Sequence, residues 1–148
     1  VEGIKIETIP AYNVNKQFHQ KDNQWVGYII EIENIRYYIA GDTDVTPENK
    51  QVKCDVAFIP IGGTYTMNFK EAASLANTIV PKIVVPTHYG EIVGRIEDEE
   101  TFEKLLKEKQ EQQNEQIQQV YYGLDGTPFP TVEEAVLYNE TLSINKQK

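Results

Sequence analysis

The chain has 148 residues, 40% of them hydrophobic and 25% charged, with a formal net charge of -9 and a single cysteine. That length suffices for one domain whose core needs neither disulfides nor a structural metal, and the composition is that of a folded chain rather than a disordered one. An acidic surface without a dense Lys/Arg cluster repels phosphate backbones and anionic lipid, which argues against nucleic acid as a partner. No apolar run reaches the roughly 18 to 20 residues of a bilayer span, and the opening "VEGIKIETIP" lacks a basic flank before a hydrophobic core. Cys54, in "VKCDVAFIP", reads as a buried reduced thiol, as in a reducing cytoplasm. The start on Val1 rather than Met reads as that of a processed or cut piece.

Strand signals fill the first half. "GIKIETI" alternates, and "WVGYIIEI" and "IRYYIA" are rich in β-branched and aromatic residues, with "EIENIR" between them as a hairpin connection. "DVAFIP" and "KIVVP" are apolar without alternation, as expected of strands covered on both faces. Between them "NFKEAASLANTIV" predicts a helix: Phe69, Ala72, Ala73, Ala76, Ile79 and Val80 share one face, and Asn68 with Glu71 forms a capping pair. Strand, helix, strand implies a parallel crossover.

Past Gly94, "EDEETFEKLLKEKQEQQNEQIQQ" predicts a helix whose apolar face, Phe102, Leu105 and Leu106, gives way to solvated polar residues. Beyond it a short strand, a turn at Asp125-Gly126 and a helix capped by Thr131 and Glu134 are expected to form a small appendage. The expected division is residues 1–109 as the main unit and 110–148 as the polar helix end plus appendage.

Three apolar runs end in small or polar residues: "YYIA" into "GDTD", "AFIP" into "IGGTYTM", and "IVVP" into "THYG". In layered α/β folds, ligand sites lie beyond the carboxyl ends of strands, so Asp42, the Gly62-Gly63 loop and His88 are expected to share a cleft. An Asp oxygen and an imidazole nitrogen brought together are suitable ligands for Zn²⁺ or a similar divalent ion. Taken singly, "GDTD" is an ordinary turn, His88 a satisfied histidine at a strand end, and His19, in "NKQFHQKDNQW", a solvated loop histidine. Asp44 and Glu48 read as a helix start, with Thr46 as cap and Pro47 at the first helical position. Tyr65 and Tyr89 are candidates to contact substrate.

The ordered series "IPAYN", "GDTD", "DVAFIPIGGTYTM" and "PTHYGEIVG" resembles the carboxyl-terminal half of the metallo-β-lactamase superfamily, in the branch similar to ascorbate-phosphate lactonase and N-acyl phosphatidylethanolamine phospholipase. It covers about Gly3 to Phe102. The resemblance implies an α/β fold, half of an αββα sandwich, carrying Zn (or Mn), one or two ions in a complete site. It also implies that Asp42 bridges two metals and that His88 is the last histidine ligand of the second. The upstream histidine ligand would fall at Asn13 or at His19. The family's H-x-H-x-D-H motif, which supplies most ligands, does not occur in these residues, so this chain alone is expected to hold an incomplete metal shell, or none.

Three functions are consistent with these features. The first is a metal-dependent hydrolase of an ester, phosphoester or lactone, acting on a small molecule once a separate chain or a second copy completes it. The second is a non-catalytic half-domain that dimerises or binds a partner protein through its uncovered sheet face. The third is a binding module centred on "DGTPFPTVEEA".

Overall fold

The structure is a computed structural model that describes residues 4–90 and 92–120, with side chains through residue 113. The expected strand, turn and capped helix at the carboxyl end lie outside the described residues. Contacts group the chain into Val1–Leu106 and Lys107–Lys148, with the boundary inside the last helix.

Five strands form one sheet in chain order: β1 (Lys5–Pro10), β2 (Val26–Ile32), β3 (Ile35–Ile39), β4 (Val56–Pro60) and β5 (Ile83–Thr87). The first three pair antiparallel, while β3–β4 and β4–β5 are parallel. The β2–β3 hairpin turns on Glu33 and Asn34, both at positive φ. That geometry matches the right-handed strand twist, and Asn takes it easily. A consequence of this topology is that β1, β3, β4 and β5 all end at the same edge of the sheet.

Helix α1 (Phe69–Ile79) links β4 to β5 and carries the expected capping box: Asn68 Oδ1 accepts from the N–H groups of Lys70 and Glu71, and Glu71 accepts from the Asn68 N–H. Ala72, Ala73, Leu75, Ala76 and Ile79 bury its inner face. Val80 departs from the expected pattern. It closes the helix in the left-handed conformation and is 70% exposed, because Pro81 follows and stops the helix there. Helix α2 (Glu97–Val120) contributes Phe102 to the core, with Leu105 and Leu106 against its margin.

The two sheet faces differ. Ile29, Tyr38, Ala57 and Ile59 pack with α1 and Phe102 in the core. On the opposite face the pairs Tyr28–Ile39 and Ile32–Ile35 lie largely open, as do Ile6 and Ile83, which the period of two places on that same face. One side of the sheet is therefore a core and the other an uncovered apolar surface.

Asp44 and its neighbours also depart from expectation. The segment after "GDTD" forms a single 3-10 turn, Asn49–Gln51, rather than an α-helix. The buried Asn49 side chain ties the turn to its start. Its Oδ1 accepts from the Thr46 N–H while Thr46 Oγ1 accepts from the Asn49 N–H, and its amide donates to the Asp44 carbonyl. Thr46 therefore caps this turn as expected, in a reciprocal pair with Asn49, and its carbonyl accepts from the Lys50 N–H at 3.2 Å, but the turn goes no further than Gln51.

Candidate metal centre

The edge where four strands end carries the loops that hold both histidines. β3 runs through Ala40, whose N–H donates to the Phe58 carbonyl, and Gly41 at φ +67 turns the chain so that Asp42 stands beyond the sheet. β5 runs out at Thr87, whose carbonyl accepts from the Ile61 N–H, and the next residue, His88, adopts φ +53. His19, in the loop after β1, adopts φ +52. Both histidines of the chain are thus held in the left-handed region, a conformation that costs about 1–3 kcal/mol for a residue with a side chain and that gathers at functional sites.

Three side chains line up there. His88 Nδ1 is 2.6 Å from Asp42 Oδ1, and His19 Nε2 is 3.5 Å from Asp42 Oδ2. The closer contact is not a hydrogen bond: Asp42 Oδ1 is buried and has no hydrogen-bond partner. His19 Nδ1 is likewise buried without one. A buried carboxylate oxygen left in this state is costly unless a cation or donor satisfies it. Adjacent ligand atoms about 2.0–2.2 Å from a tetrahedral Zn²⁺ stand roughly 3.3 Å apart, so the two lone-pair atoms face one space and would have to open to share a divalent ion. The fit is partial. Among the described residues, no group of three or more His, Cys, Asp and Glu side chains could hold a metal ion by itself, since His19 meets the other oxygen of Asp42 at longer range.

Of the two upstream candidates, the structure sets His19 beside Asp42, its ring edge-on to Trp25 at 4.8 Å between centroids. Asn13 is buried, its amide nitrogen donates to the Tyr65 carbonyl at 2.6 Å, and its Oδ1 is a third buried atom without a hydrogen-bond partner. The loop holding both is tied down by long-range bonds the sequence did not mark. Asp44 accepts from the Val14 N–H at 2.9 Å and pairs with Lys16, whose ammonium also donates to the Thr66 carbonyl. Thr43, fully buried, accepts from the Tyr12 N–H. Further out, Tyr12 Oη and Lys21 Nζ both donate to Glu48, which holds that carboxyl down at about 2. Each of these bonds joins segments distant in sequence, so no local spacing announces them.

Tyr65 and Tyr89 line a pocket of about 350 Å³ beside Asp42 and His88, with Thr66, Ile92 and Val93. Tyr65 meets Phe18 edge-on at 5.0 Å. The Tyr89 hydroxyl donates to Glu99 at 2.7 Å, and that bond raises its pKa above the usual phenol value. A signal for Ile92 and Val93 was present, two apolar residues inside an otherwise polar loop directly after His88. A second pocket of about 300 Å³ lies on the other side of His88, lined by Ile39, Gly41, Phe58 and Thr87.

Gly62 explains how the β4 and β5 loops approach so closely. A Cβ there would stand 2.1 Å from the His88 carbonyl oxygen and 2.7 Å from Val93 Cγ2. Only glycine fits. Cys54 belongs to no site: burial first, then the Asp55 charge, pushes its thiol up to about 11.

Comparison with known proteins identifies the fold. Residues 1–88 match the Beta-lactamase superfamily domain, a segment that ends on His88. A metal-dependent hydrolase from Thermococcus onnurineus is 35% identical over 116 residues, covering 75% of this chain and 52% of its own. A crystal structure from Parabacteroides distasonis superposes with TM-score 0.62 at 36% identity, covering 74% of this chain and 49% of its own. A metallo-β-lactamase superfamily protein from Thermotoga maritima gives 0.56 at 30% identity, over 71% and 53% of the two chains. The chain therefore spans about half the length of the relatives it matches. With residues 1–88, more than half of this chain, matched to the family domain, and with a sheet edge that gathers Asp42 and both histidines, this chain belongs to the metallo-β-lactamase superfamily.

Proposed function

We propose that this chain is the carboxyl-side half of a metal-dependent hydrolase acting on a small molecule with an ester, phosphoester or lactone bond. Asp42 Oδ1, buried without a hydrogen bond and 2.6 Å from His88 Nδ1, is the observation that carries the reading. Asp42, His88 and His19 would hold the ion, Zn or Mn, with the remaining ligands supplied from outside the described residues. Such an ion, when bound, supplies Lewis-acid polarisation of the scissile group and brings the pKa of water down to about 7.

The chain's own residues do the rest. The left-handed turns at His19 and His88 fix both imidazoles at the sheet edge, and the Lys16–Asp44 pair pins the loop that carries His19. Tyr65 and Tyr89 form walls against which the substrate lies. Residues 1–109 are assigned to this unit and 110–148 to an appendage. Among the described residues no helix is long and apolar enough to cross a membrane, which accords with a cytoplasmic enzyme.

The uncovered apolar face supports a requirement for a covering half, as a separate chain or a second copy. Ile6 and Ile83 are each more than half exposed on that face, a surface that favours association. The same face also favours the second reading, a non-catalytic half-domain that dimerises or binds a partner protein.

Elemental analysis after Zn²⁺ and Mn²⁺ exposure and desalting, with light scattering for mass, separates the two. Metal retained near stoichiometry and lost in Asp42→Ala supports the hydrolase. An associated chain that retains no metal, alone or mixed with a chain carrying the H-x-H-x-D-H half, supports the bare half-domain.

A further inference from the structure

Among the described residues three buried side-chain polar atoms have no hydrogen-bond partner: Asp42 Oδ1, His19 Nδ1 and Asn13 Oδ1. The first faces His88 Nδ1 at 2.6 Å. The other two belong to one loop and are complementary, because an imidazole nitrogen can carry a proton and an amide oxygen can only accept one. We propose that Asn13 is a positioning residue for His19: its Oδ1 accepts the Nδ1 proton, directly or through one buried water, and holds the imidazole in the tautomer whose Nε2 is bare toward Asp42.

The loop closes on itself at this point, since the Asn13 N–H donates to the His19 carbonyl at 2.7 Å. Oδ1 and Nδ1 each hang from the Cγ of a short side chain, so main chains held this closely let the two atoms meet directly or across a water that both satisfy. Asn13 is 5% exposed, and its amide cannot be turned end for end. The nitrogen donates to the Tyr65 carbonyl at 2.6 Å, an acceptor the oxygen could not serve, which leaves the oxygen for a donor. His19 is fixed as well. Its φ is +52, its ring meets Trp25 edge-on, and its Nε2 faces Asp42 Oδ2 at 3.5 Å. A neutral imidazole carries one N–H, so an Nε2 that meets a cation bare puts the proton on Nδ1, and a buried N–H needs an acceptor. Metal-ligating histidines are oriented in this manner by an acceptor on their other nitrogen.

The pairing stands on the loop, whereas its consequence for the ion rests on reading His19 as a ligand. Long-range proton–nitrogen NMR of the metal-free whole chain at about pH 8, above the usual imidazole titration, reads the tautomer of each histidine. The chain has two, and His88→Gln leaves the signals of His19 alone. His19 is expected in the Nδ1–H form, the less common one for a histidine in water. Asn13→Leu removes both polar atoms and is expected to release the ring to a mixture of tautomers. Asn13→Asp keeps an accepting oxygen but loses the donor to Tyr65, and is expected to retain the Nδ1–H form. Both variants should lower the unfolding temperature, so a merely structural role would not separate them. Zn²⁺ affinity is expected to fall by about tenfold or more in Asn13→Leu and by much less in Asn13→Asp.

An Nε2–H form of His19 in the parent overturns the proposal, and the parent spectrum alone decides this whether or not the variants fold. An unchanged Nδ1–H form in Asn13→Leu overturns it too. Either result in a chain that binds Zn²⁺ leaves the hydrolase reading intact. An Asn13-dependent Nδ1–H form in a chain that takes up no Zn²⁺, alone or mixed with a chain carrying the H-x-H-x-D-H half, upholds the pairing and sinks the hydrolase reading.

Discussion

His88 Nδ1 lies 2.6 Å from Asp42 Oδ1 although the two residues follow strands that do not touch, β3 and β5, with β4 between them. The contact exists because the strands are parallel and end together, and because Gly41 and His88 both turn through positive φ to lean across the end of β4. Removing either partner leaves the other facing empty space. Asp42→Asn keeps the shape of the carboxylate and removes its charge. Zn²⁺ affinity, measured by calorimetry, is therefore expected to fall in Asp42→Asn and in His88→Ala by more than the about 10- to 100-fold that loss of an outer-shell partner costs. Unfolding temperature is expected to move little in the metal-free protein, since neither side chain makes a hydrogen bond the fold depends on. Unchanged affinity in both variants would place the ion elsewhere.

Glu48 provides a pH handle away from that edge. Its carboxyl is held at about 2 rather than its ordinary 4.5 by the hydrogen bonds from Lys21 and Tyr12. A carboxyl depressed in the folded state adds stability above its unfolded value, and that contribution is lost as pH falls from about 4.5 through about 2. Glu48→Gln is expected to lower the unfolding temperature near neutral pH by about 2–5 °C, a modest amount because Lys21 is well exposed. The gap between parent and variant should narrow steadily below pH 4. A gap that is constant from neutral pH down to 2.5 would show that Glu48 acts through packing rather than charge.

Much of the fold was legible because it is written locally. Alternation in "GIKIETI", aromatic and β-branched enrichment around the hairpin, and the Asn68–Glu71 capping pair each sit within one element, and the structure has each where the pattern put it. The convergence of Asp42 and His88 was legible only through strand-end chemistry. The choice between Asn13 and His19 was not legible at all. Both occupy one irregular loop, where spacing says nothing about direction, and the loop is shaped by Asp44, Tyr65 and Thr66, brought from afar to meet Asn13, Val14 and Lys16. The cap expected at Thr46 is present, its Oγ1 accepting from the Asn49 N–H, yet what it opens is a single 3-10 turn, Asn49–Gln51, rather than an α-helix.

Val80 shows that a helical face pattern does not carry to the terminus. It fits the apolar stripe of α1, yet it sits at φ +48 with its side chain in water. A β-branched residue in the left-handed region is strained by about 1–2 kcal/mol, and glycine removes that strain at the cost of a more flexible unfolded chain. Val80→Gly is accordingly expected to raise stability by about 0.5–1 kcal/mol in urea unfolding, since the N–H of residue 80 still reaches the Ala76 carbonyl. A lower midpoint in the variant would mean that the exposed isopropyl group is covered in solution.

Gly62 tests the link between scaffold and site most directly. It is not a glycine of conformational need, because its φ is not in the left-handed region; it is a glycine of space, with the His88 carbonyl oxygen 2.1 Å from where a Cβ would stand. The obstacle is backbone, so no rotamer change relieves it. Gly62→Ala must push the β5 exit loop outward, carrying His88 from Asp42 and opening the pocket at Val93. Overpacking of this kind costs about 1–3 kcal/mol, and the metal site should suffer more than the fold. The neighbouring Gly63→Ala is the control: it also carries a strain from φ +80, but its Cβ would meet only the Asn68 side chain at 3.3 Å. Both variants should lose stability, and only Gly62→Ala should lose Zn²⁺ affinity, by about tenfold or more. Equal metal affinity in the two would mean that His88 keeps its place by some contact other than the close approach of these loops.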